Sequence, residues 1–589
     1  MKKLVVGFLA TLGALALVVV LVWAGVKVVS VTAKGRVPAR TILEVDLEKG
    51  MVEYVPEEPL AKLMYSDVST VRDVVEALER ASLDSRVVGL VARVGVGSPG
   101  LAEVQEIRDA VRAFRRKGKT AVVWAETFGE FGPGNAAYYL ATAFDEIYLQ
   151  PSGDLGLTGV MYEVPFIRGT LDKLNVTPRM DHRYEYKNAM NLFTDKKLDP
   201  AYREAMEKIA SSQFDQLVQG IVEARKLSED EVRGLVDRAP FLGKEAVDAK
   251  LVDGLAYRDQ VYAKVKERAG KGAELLYFSR YLERAGRPHE KGETIALIYG
   301  VGSVQRGESE FDPLFRQFSM GSDTVTAAFR AAVLDKKVRA ILFRVDSPGG
   351  SYVASDAIWR ETVRARDAGK PVIVSMGNVA GSGGYFVAMS ADKIVAQPGT
   401  ITASIGVLGG KLLTSGFWDK LGLSWDEVHS GRNATMWTGT KDYTPEEWGR
   451  FQQWLDRIYE DFTGKVAEGR RLPKERVLQI ARGRIWTGED AKELGLVDEL
   501  GGFDVALRIT REAAGLPADA KIRLKVFPAK KSWFEALLAG GPESSEEKVT
   551  MAALERFLRV AQPLARAAQF LGMSPKEEAL AMPDLEPAP

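Results

Sequence analysis

The sequence predicts an α/β protein built from two tandem copies of one domain, and three observations predict it. The first is a duplication without gaps: AAYYLATAFDEIYLQPSGDLGLTGV at 136–160 matches GGYFVAMSADKIVAQPGTITASIGV at 383–407, aligning Asp145 with Asp392 and Gly159 with Gly406 at an offset of 247. The second extends it in both directions. Downstream, GKEAVDAKLVDG at 243–254 matches GEDAKELGLVDE at 488–499, at an offset of 245. Upstream, VVGLVARV, the Gly/Pro loop GVGSPG, a helical stretch to Lys117 and TAVVWAE are echoed by AILFRVD, SPGG, a helical stretch to Arg366 and KPVIVSM. The third is an alternation of short β-branched runs with amphipathic helices such as 202–226 and 446–470, the pattern of βαβ crossovers.

The elements follow in chain order. After a three-residue flank (1–3), residues 4–26 carry no charge between Lys3 and Lys27 and consist mostly of Leu, Val, Ala and Gly. About 20 such residues cross a hydrocarbon core as a helix. The stretch is longer than the apolar region of a cleaved signal peptide and runs through Val22, Trp23 and Val26, so it reads as an uncleaved transmembrane anchor. The flanking charges, Lys2 and Lys3 on one side and Lys27, Lys34, Arg36 and Arg40 on the other, leave its orientation open. An opening strand begins each copy, TILEVDL at 41 and TIALIYG at 294, giving α/β domains at 40–285 and 290–515 with a charged linker from Arg284 to Gly292. The remainder, 520–589, holds an acidic GPESSEEK stretch, a helical run near 551–570 and the Pro-rich end MPDLEPAP, and reads as a partly disordered extension.

Composition narrows the chemistry. Lys plus Arg and Asp plus Glu both count 80, so no net field recruits nucleic acid. There is no cysteine, which removes thiol nucleophiles, thiolate metal sites and disulfides. With only His182, His289 and His429 present, Ser-His-Asp triads and histidine metal sites are disfavoured, and no metal or cofactor is expected.

In GNVAGSGGYFVAM (377–389) a strand runs into a Gly-rich turn and a helix begins at Ser382. A hydroxyl there sits near unpaired backbone N–H groups, and Gly383 and Gly384 leave the main chain bare toward an oxyanion. The pattern approaches the nucleophile elbow, with Ala380 where the first glycine of that motif belongs. Taken alone, a serine N-cap on an ordinary helix is the better explanation. The duplication separates the two readings, because the first-copy counterpart of Ser382 is Asn135. Asparagine caps a helix as well as serine does but is no nucleophile. The opposite asymmetry lies downstream, where Lys187 in HRYEYKNAMN aligns with Arg432 in HSGRNATMW. Arginine keeps the charge but cannot shed its proton to act as a base. The first copy thus holds a base without a nucleophile, and the second a nucleophile without a base.

With its duplicated domains, DSPGG (346–350), GSGGY (381–385), TASIG (402–406) and YKNA (186–189), the chain resembles the long, double-repeat form of the signal peptide peptidase A, or protease IV, family from the anchor to about residue 515. The resemblance implies two tandem crotonase/caseinolytic-protease-like domains and a serine–lysine dyad of Ser382 as nucleophile and Lys187 as general base. It also implies that Ser404, whose first-copy counterpart is Leu157, hydrogen-bonds the lysine. It implies further a single-pass membrane protein with its catalytic body outside the cytoplasm, forming a homotetramer that cleaves remnant signal peptides or other short apolar peptides. A lysine base must lose its proton well below the ordinary pKa of about 10.4, which burial without a carboxylate partner supplies. Met190, Leu192 and Phe193 are the expected walls, and Glu185 has to point elsewhere. Backbone amides of Gly383 and of the Gly349–Gly350 turn are the expected oxyanion donors.

Several features compete with this reading. GVGSPG (95–100) spells a dinucleotide fingerprint, but its partner loop DSPGG lacks the pattern, so a structural turn explains both. Asp346 beside Ser347 reads as a turn rather than an acid–base pair. The sequon NAT at 433 carries little weight. Two other functional classes remain: a crotonase-like acyl-CoA enzyme, and a catalytically silent membrane scaffold.

Overall fold

The computed structural model describes residues 35–528 apart from 57, 58, 67, 96, 98 and 99. The predicted anchor at 4–26 and the extension beyond 528 lie outside the described residues. Among the described residues no helix is long and apolar enough to cross a membrane.

Two sheets of the same plan carry the molecule. The first is six-stranded and parallel throughout, in the order Gly254–Leu255, Glu146–Leu149, Thr120–Ala125, Val87–Arg93, Thr41–Asp46, Glu274–Tyr277. The second repeats that order with Glu499–Leu500, Lys393–Ala396, Val372–Gly381, Val338–Ser347, Glu293–Val301 and Ile522–Phe527. Its last strand lies beyond 515, the expected end of the repeat, and it pairs in parallel with Glu293–Val301 as Glu274–Tyr277 pairs with Thr41–Asp46. The reason is compositional. KIRLKVF mixes charged and apolar residues as an edge strand does, which resembles the start of a tail when read without its partner. Central strands of both sheets are buried on both faces, Thr120–Ala125 as a largely apolar run and Val338–Ser347 with the apolar stretch AILF followed by a buried Arg344. Each sheet has its own apolar core.

The halves are bound by an exchange. Strand Thr177–His182 of the first copy pairs antiparallel with Leu408–Leu413 of the second, His182 opposite Leu408. The long helix Pro200–Arg225, started by an Asp199 cap and Pro200, packs its Tyr202, Ala205, Met206 and Ile209 against Ile401 and Ile485. The first copy therefore reaches across the second, and the segment between these two elements carries Lys187 into it.

Candidate active site

Strand Val372–Gly381 ends in the Gly-rich turn, and the helix Gly383–Ala388 starts one residue after Ser382. Ser382 sits between them at φ 52°, ψ −112°, a conformation sparsely populated by residues other than glycine. Its N–H donates to Ala403 O at 2.7 Å, and its own carbonyl accepts from Phe386 N at 2.8 Å, so the surrounding structure holds the strained residue from both sides. The neighbouring strand Ile401–Ala403 leads into Ser404, also at positive φ (52°).

Lys187 enters from the first copy. Its Nζ lies 2.7 Å from Ser382 Oγ, 3.0 Å from Ser404 Oγ and 3.1 Å from the Ser404 carbonyl. All three residues are buried. Burial pushes the Lys187 ammonium well below its ordinary value. Among the described residues no carboxylate pairs with it, and Glu185, two residues earlier, is turned away to Arg482 at 2.6 Å. The amine is thus within reach of the Ser382 hydroxyl, with the hydroxyl and carbonyl of Ser404 as its other hydrogen-bond partners.

Two of the three expected walls, Leu192 and Phe193, lie elsewhere. Leu192 and Phe193 pack instead against Ile167, Leu171 and Val176 in a separate cluster, because the chain turns through a 3-10 helix at Asn188–Met190 before reaching them. Glycines line the stem. A Cβ on Gly483 would stand 2.5 Å from Lys187 Cβ, and one on Gly406 would stand 3.1 Å from Lys187 Cδ. Neither glycine was singled out by local pattern.

The DSPGG turn lies beside the nucleophile. Gly349 (φ 105°) and Gly350 (φ 149°) adopt conformations open to glycine, and a Cβ on Gly383 would meet Gly349 Cα and Gly350 N, each at 3.1 Å. Val304 takes the Gly349 carbonyl and the Ser351 N–H, in a parallel bridge that turns the N–H of Gly350 to the opposite edge. The Gly349 N–H is occupied by Ser347 Oγ at 3.2 Å. The bareness of Gly383 and Gly384 therefore serves close packing against this turn, since a Cβ on Gly384 would come 2.5 Å from Ser347 O.

Local pattern also gave no hint of a buried ionic cluster under the same turn. Arg344 of the second copy holds Glu53 (2.5 Å) and Glu106 (3.0 Å) of the first. Burial, reinforced by Glu53, pushes Asp346 up to about 7, and burial likewise raises Glu106 to about 7 against the pull of Arg344. Asp346 accepts from Val379 N at 2.9 Å, so it is part of the floor beneath the nucleophile strand as well as a turn residue.

A buried amine at hydrogen-bond distance from a strained serine, with a second hydroxyl on the amine, is the apparatus of a hydrolase that attacks through oxygen. The sequence matches peptidase family S49 over residues 113–271 and 364–517. It is 34% identical over 459 residues to "Protease 4" of Salmonella typhi, covering 75% of this chain and 72% of that one. Against "Protease 4" of Haemophilus influenzae it is 30% identical over 470 residues, 77% of this chain and 74% of the relative. Against the chloroplastic "Serine protease SPPA" of Arabidopsis thaliana it is 28% identical over 480 residues, 79% and 69%. A ClpP1 mutant chain from Listeria monocytogenes matches 36% of this chain and 94% of its own, at 14% identity and a TM-score of 0.23. The chain belongs to peptidase family S49, as a serine endopeptidase of the signal peptide peptidase A kind.

Proposed function

We propose that peptide bonds are cut by a Ser382–Lys187 dyad that forms only when the two copies fold together. The observation that carries this reading is the 2.7 Å contact between Lys187 Nζ and Ser382 Oγ inside a buried pocket. Neutral Lys187 takes the serine proton as Oγ attacks the scissile carbonyl, and Ser404 keeps the amine aimed. The tetrahedral oxyanion is met by backbone N–H groups of Gly383 and Gly350, with Gly349 shaping the turn between them. The protonated Lys187 then gives its proton to the leaving amine, and water, activated by the same amine, releases the acyl group.

The substrates in this reading are remnant signal peptides and other short apolar segments, reached by a body of crotonase/caseinolytic-protease type that is anchored through residues 4–26 and lies outside the cytoplasm. Assembly as a homotetramer is part of the reading, and the inter-copy pairing supports self-association. By the 247 offset, the second-copy counterpart of strand Thr177–His182 is 424–429, and the first-copy counterpart of Leu408–Leu413 is 161–166. Neither stretch is in a strand, and both expose apolar side chains: Trp425 and Val428 on one, Met161 on the other. A second copy of the chain fits both edges by repeating the pairing already made within one chain.

The test is a serine-directed fluorophosphonate. Labelling that disappears in Ser382→Ala and falls sharply in Lys187→Ala supports the dyad, whereas undiminished labelling in Ser382→Ala places the nucleophile elsewhere.

A further inference from the structure

The lysine reaches Ser382 through a slot made by two glycines on different turns. Gly406 follows Ser404 and Ile405, and Gly483 lies in the turn between helix Lys474–Ile480 and strand Ile485–Thr487. They abut, since a Cβ on Gly406 would stand 2.8 Å from Gly483 Cα as well as 3.1 Å from Lys187 Cδ. On the other side, a Cβ on Gly483 would meet Lys187 N, Cα and Cβ at 2.5 to 2.6 Å, closer than any real contact. Gly483 also has φ 83°, and Arg482 before it φ 56°.

The same turn holds the chain on either side of the base and its partner Ser404. Arg482 O accepts from Tyr186 N (3.2 Å), Gly483 N donates to Ile405 O (2.8 Å), and Arg484 O accepts from Ser404 N (2.9 Å). Arg482 pairs with Glu185, and Arg484 stacks on Tyr186 at 4.7 Å while binding Glu204 at 2.7 Å. The duplication supplies an internal control. At the 245 offset Gly483 corresponds to Arg238, a long side chain that lies over the Phe241 ring at 5.9 Å. Gly406 corresponds to Gly159, where a Cβ would meet nothing nearer than 3.5 Å. The tight fit belongs to the copy through which Lys187 passes.

We propose that Gly406 and Gly483 are positioning residues for peptide hydrolysis, forming a methylene-wide slot that keeps the Lys187 stem dry and aims its amine at Ser382, with Ser404 carried on the same frame. This rests on Lys187 being the base. A methyl group at either glycine displaces the stem, and a displacement of about 1 Å is enough to cost on the order of 100-fold in rate. The displaced amine regains water, which favours its ammonium form and raises its pKa.

The experiment measures kcat, KM and the pH profile of the full chain with a fluorogenic apolar peptide, for Gly406→Ala, Gly483→Ala, Arg482→Ala and Lys187→Ala. The glycine variants are expected to lose roughly 10- to 100-fold in kcat with KM within about twofold, and the acidic limb of the profile moves to higher pH. Arg482→Ala, which removes a half-exposed ion pair and a contact with the Tyr184 ring, keeps the slot under test if a glycine variant fails to fold. It is expected to lose about threefold in kcat, with the limb moved the same way. Kinetics and limb unchanged in the variants that fold overturn the slot, as does a fall in kcat with the limb unmoved. Near-normal turnover by Lys187→Ala overturns the base assignment itself, a result distinct from an inactive Lys187→Ala beside normal glycine variants.

Discussion

The two copies keep one skeleton and divide one chemistry. Tyr138 donates to Leu251 O at 2.7 Å, and its counterpart Tyr385 donates to Leu496 O at 2.9 Å. Lys119 bonds the carbonyls of Ala81 and Asp84, as Lys370 bonds those of Ala332 and Asp335. Arg115 meets Asp145 and Arg366 meets Asp392; Arg225 meets Asp253 and Arg470 meets Asp498. These contacts pin helices to sheet ends, so a duplicated fold needs them twice. At the site the correspondence stops. Where Ser382 stands in strained backbone, Asn135 lies within its helix, its amide donating to Gly159 O (2.8 Å) and accepting from Gly159 N (3.0 Å). Leu157 is packed into the core where Ser404 bonds the lysine. Arg432, the counterpart of Lys187, is exposed and pairs loosely with Glu446 at 3.4 Å. Duplication gives a chain two scaffolds, and the proposed dyad uses a part from each.

The comparison breaks most visibly at the nucleophile. Ser382→Ala is expected to lower peptide turnover by about 10⁴-fold or more in a steady-state assay, leaving only what binding and oxyanion contacts provide. Removing the base by Lys187→Ala is expected to cost roughly 10³-fold in kcat. Ser404→Ala keeps both reacting groups and loosens the amine, for a fall of about 10-fold with the acidic limb of the pH–rate profile displaced.

The buried carboxylates sharpen the contrast in stability rather than rate. Asp346 and Glu106 have folded pKa values of about 7, above those of an unfolded chain near 4. The folded state therefore binds more protons between those values, and their contribution to stability is full below about pH 4 and lost as pH rises through about 7. Denaturant midpoints should fall between pH 5 and 8, and Glu106→Gln should flatten that slope. The smallest effect is expected in the first copy. Asn135→Ser should leave turnover within about twofold and give no fluorophosphonate label at position 135, because no amine faces that position.

Much of this was legible in the chain because the duplication acts as its own comparison. Ser382 against Asn135, Lys187 against Arg432 and Ser404 against Leu157 each mark a position where the fold is indifferent and the chemistry is not. What stayed hidden depends on contacts between residues far apart in sequence. Chain proximity points to Met190, Leu192 and Phe193 as the walls around Lys187, whereas Gly406 and Gly483, more than 200 positions away, line its stem. The Arg344 cluster joins residues 53, 106 and 344, and no local period foretells such a meeting. The exchange of Thr177–His182 onto Leu408–Leu413 likewise has no signature within either strand.

The central claim is that a neutral amine from the first copy activates the hydroxyl of the second. Lys187→Arg tests it most directly, because arginine keeps a long basic side chain with hydrogen-bonding donors but stays protonated and cannot accept a proton at working pH. The rate of fluorophosphonate labelling at Ser382, followed from pH 6 to 10, is predicted to rise with pH in the parent and to fall by about 10³-fold in Lys187→Arg at every pH. Labelling of the arginine variant at the parent's rate would contradict the account.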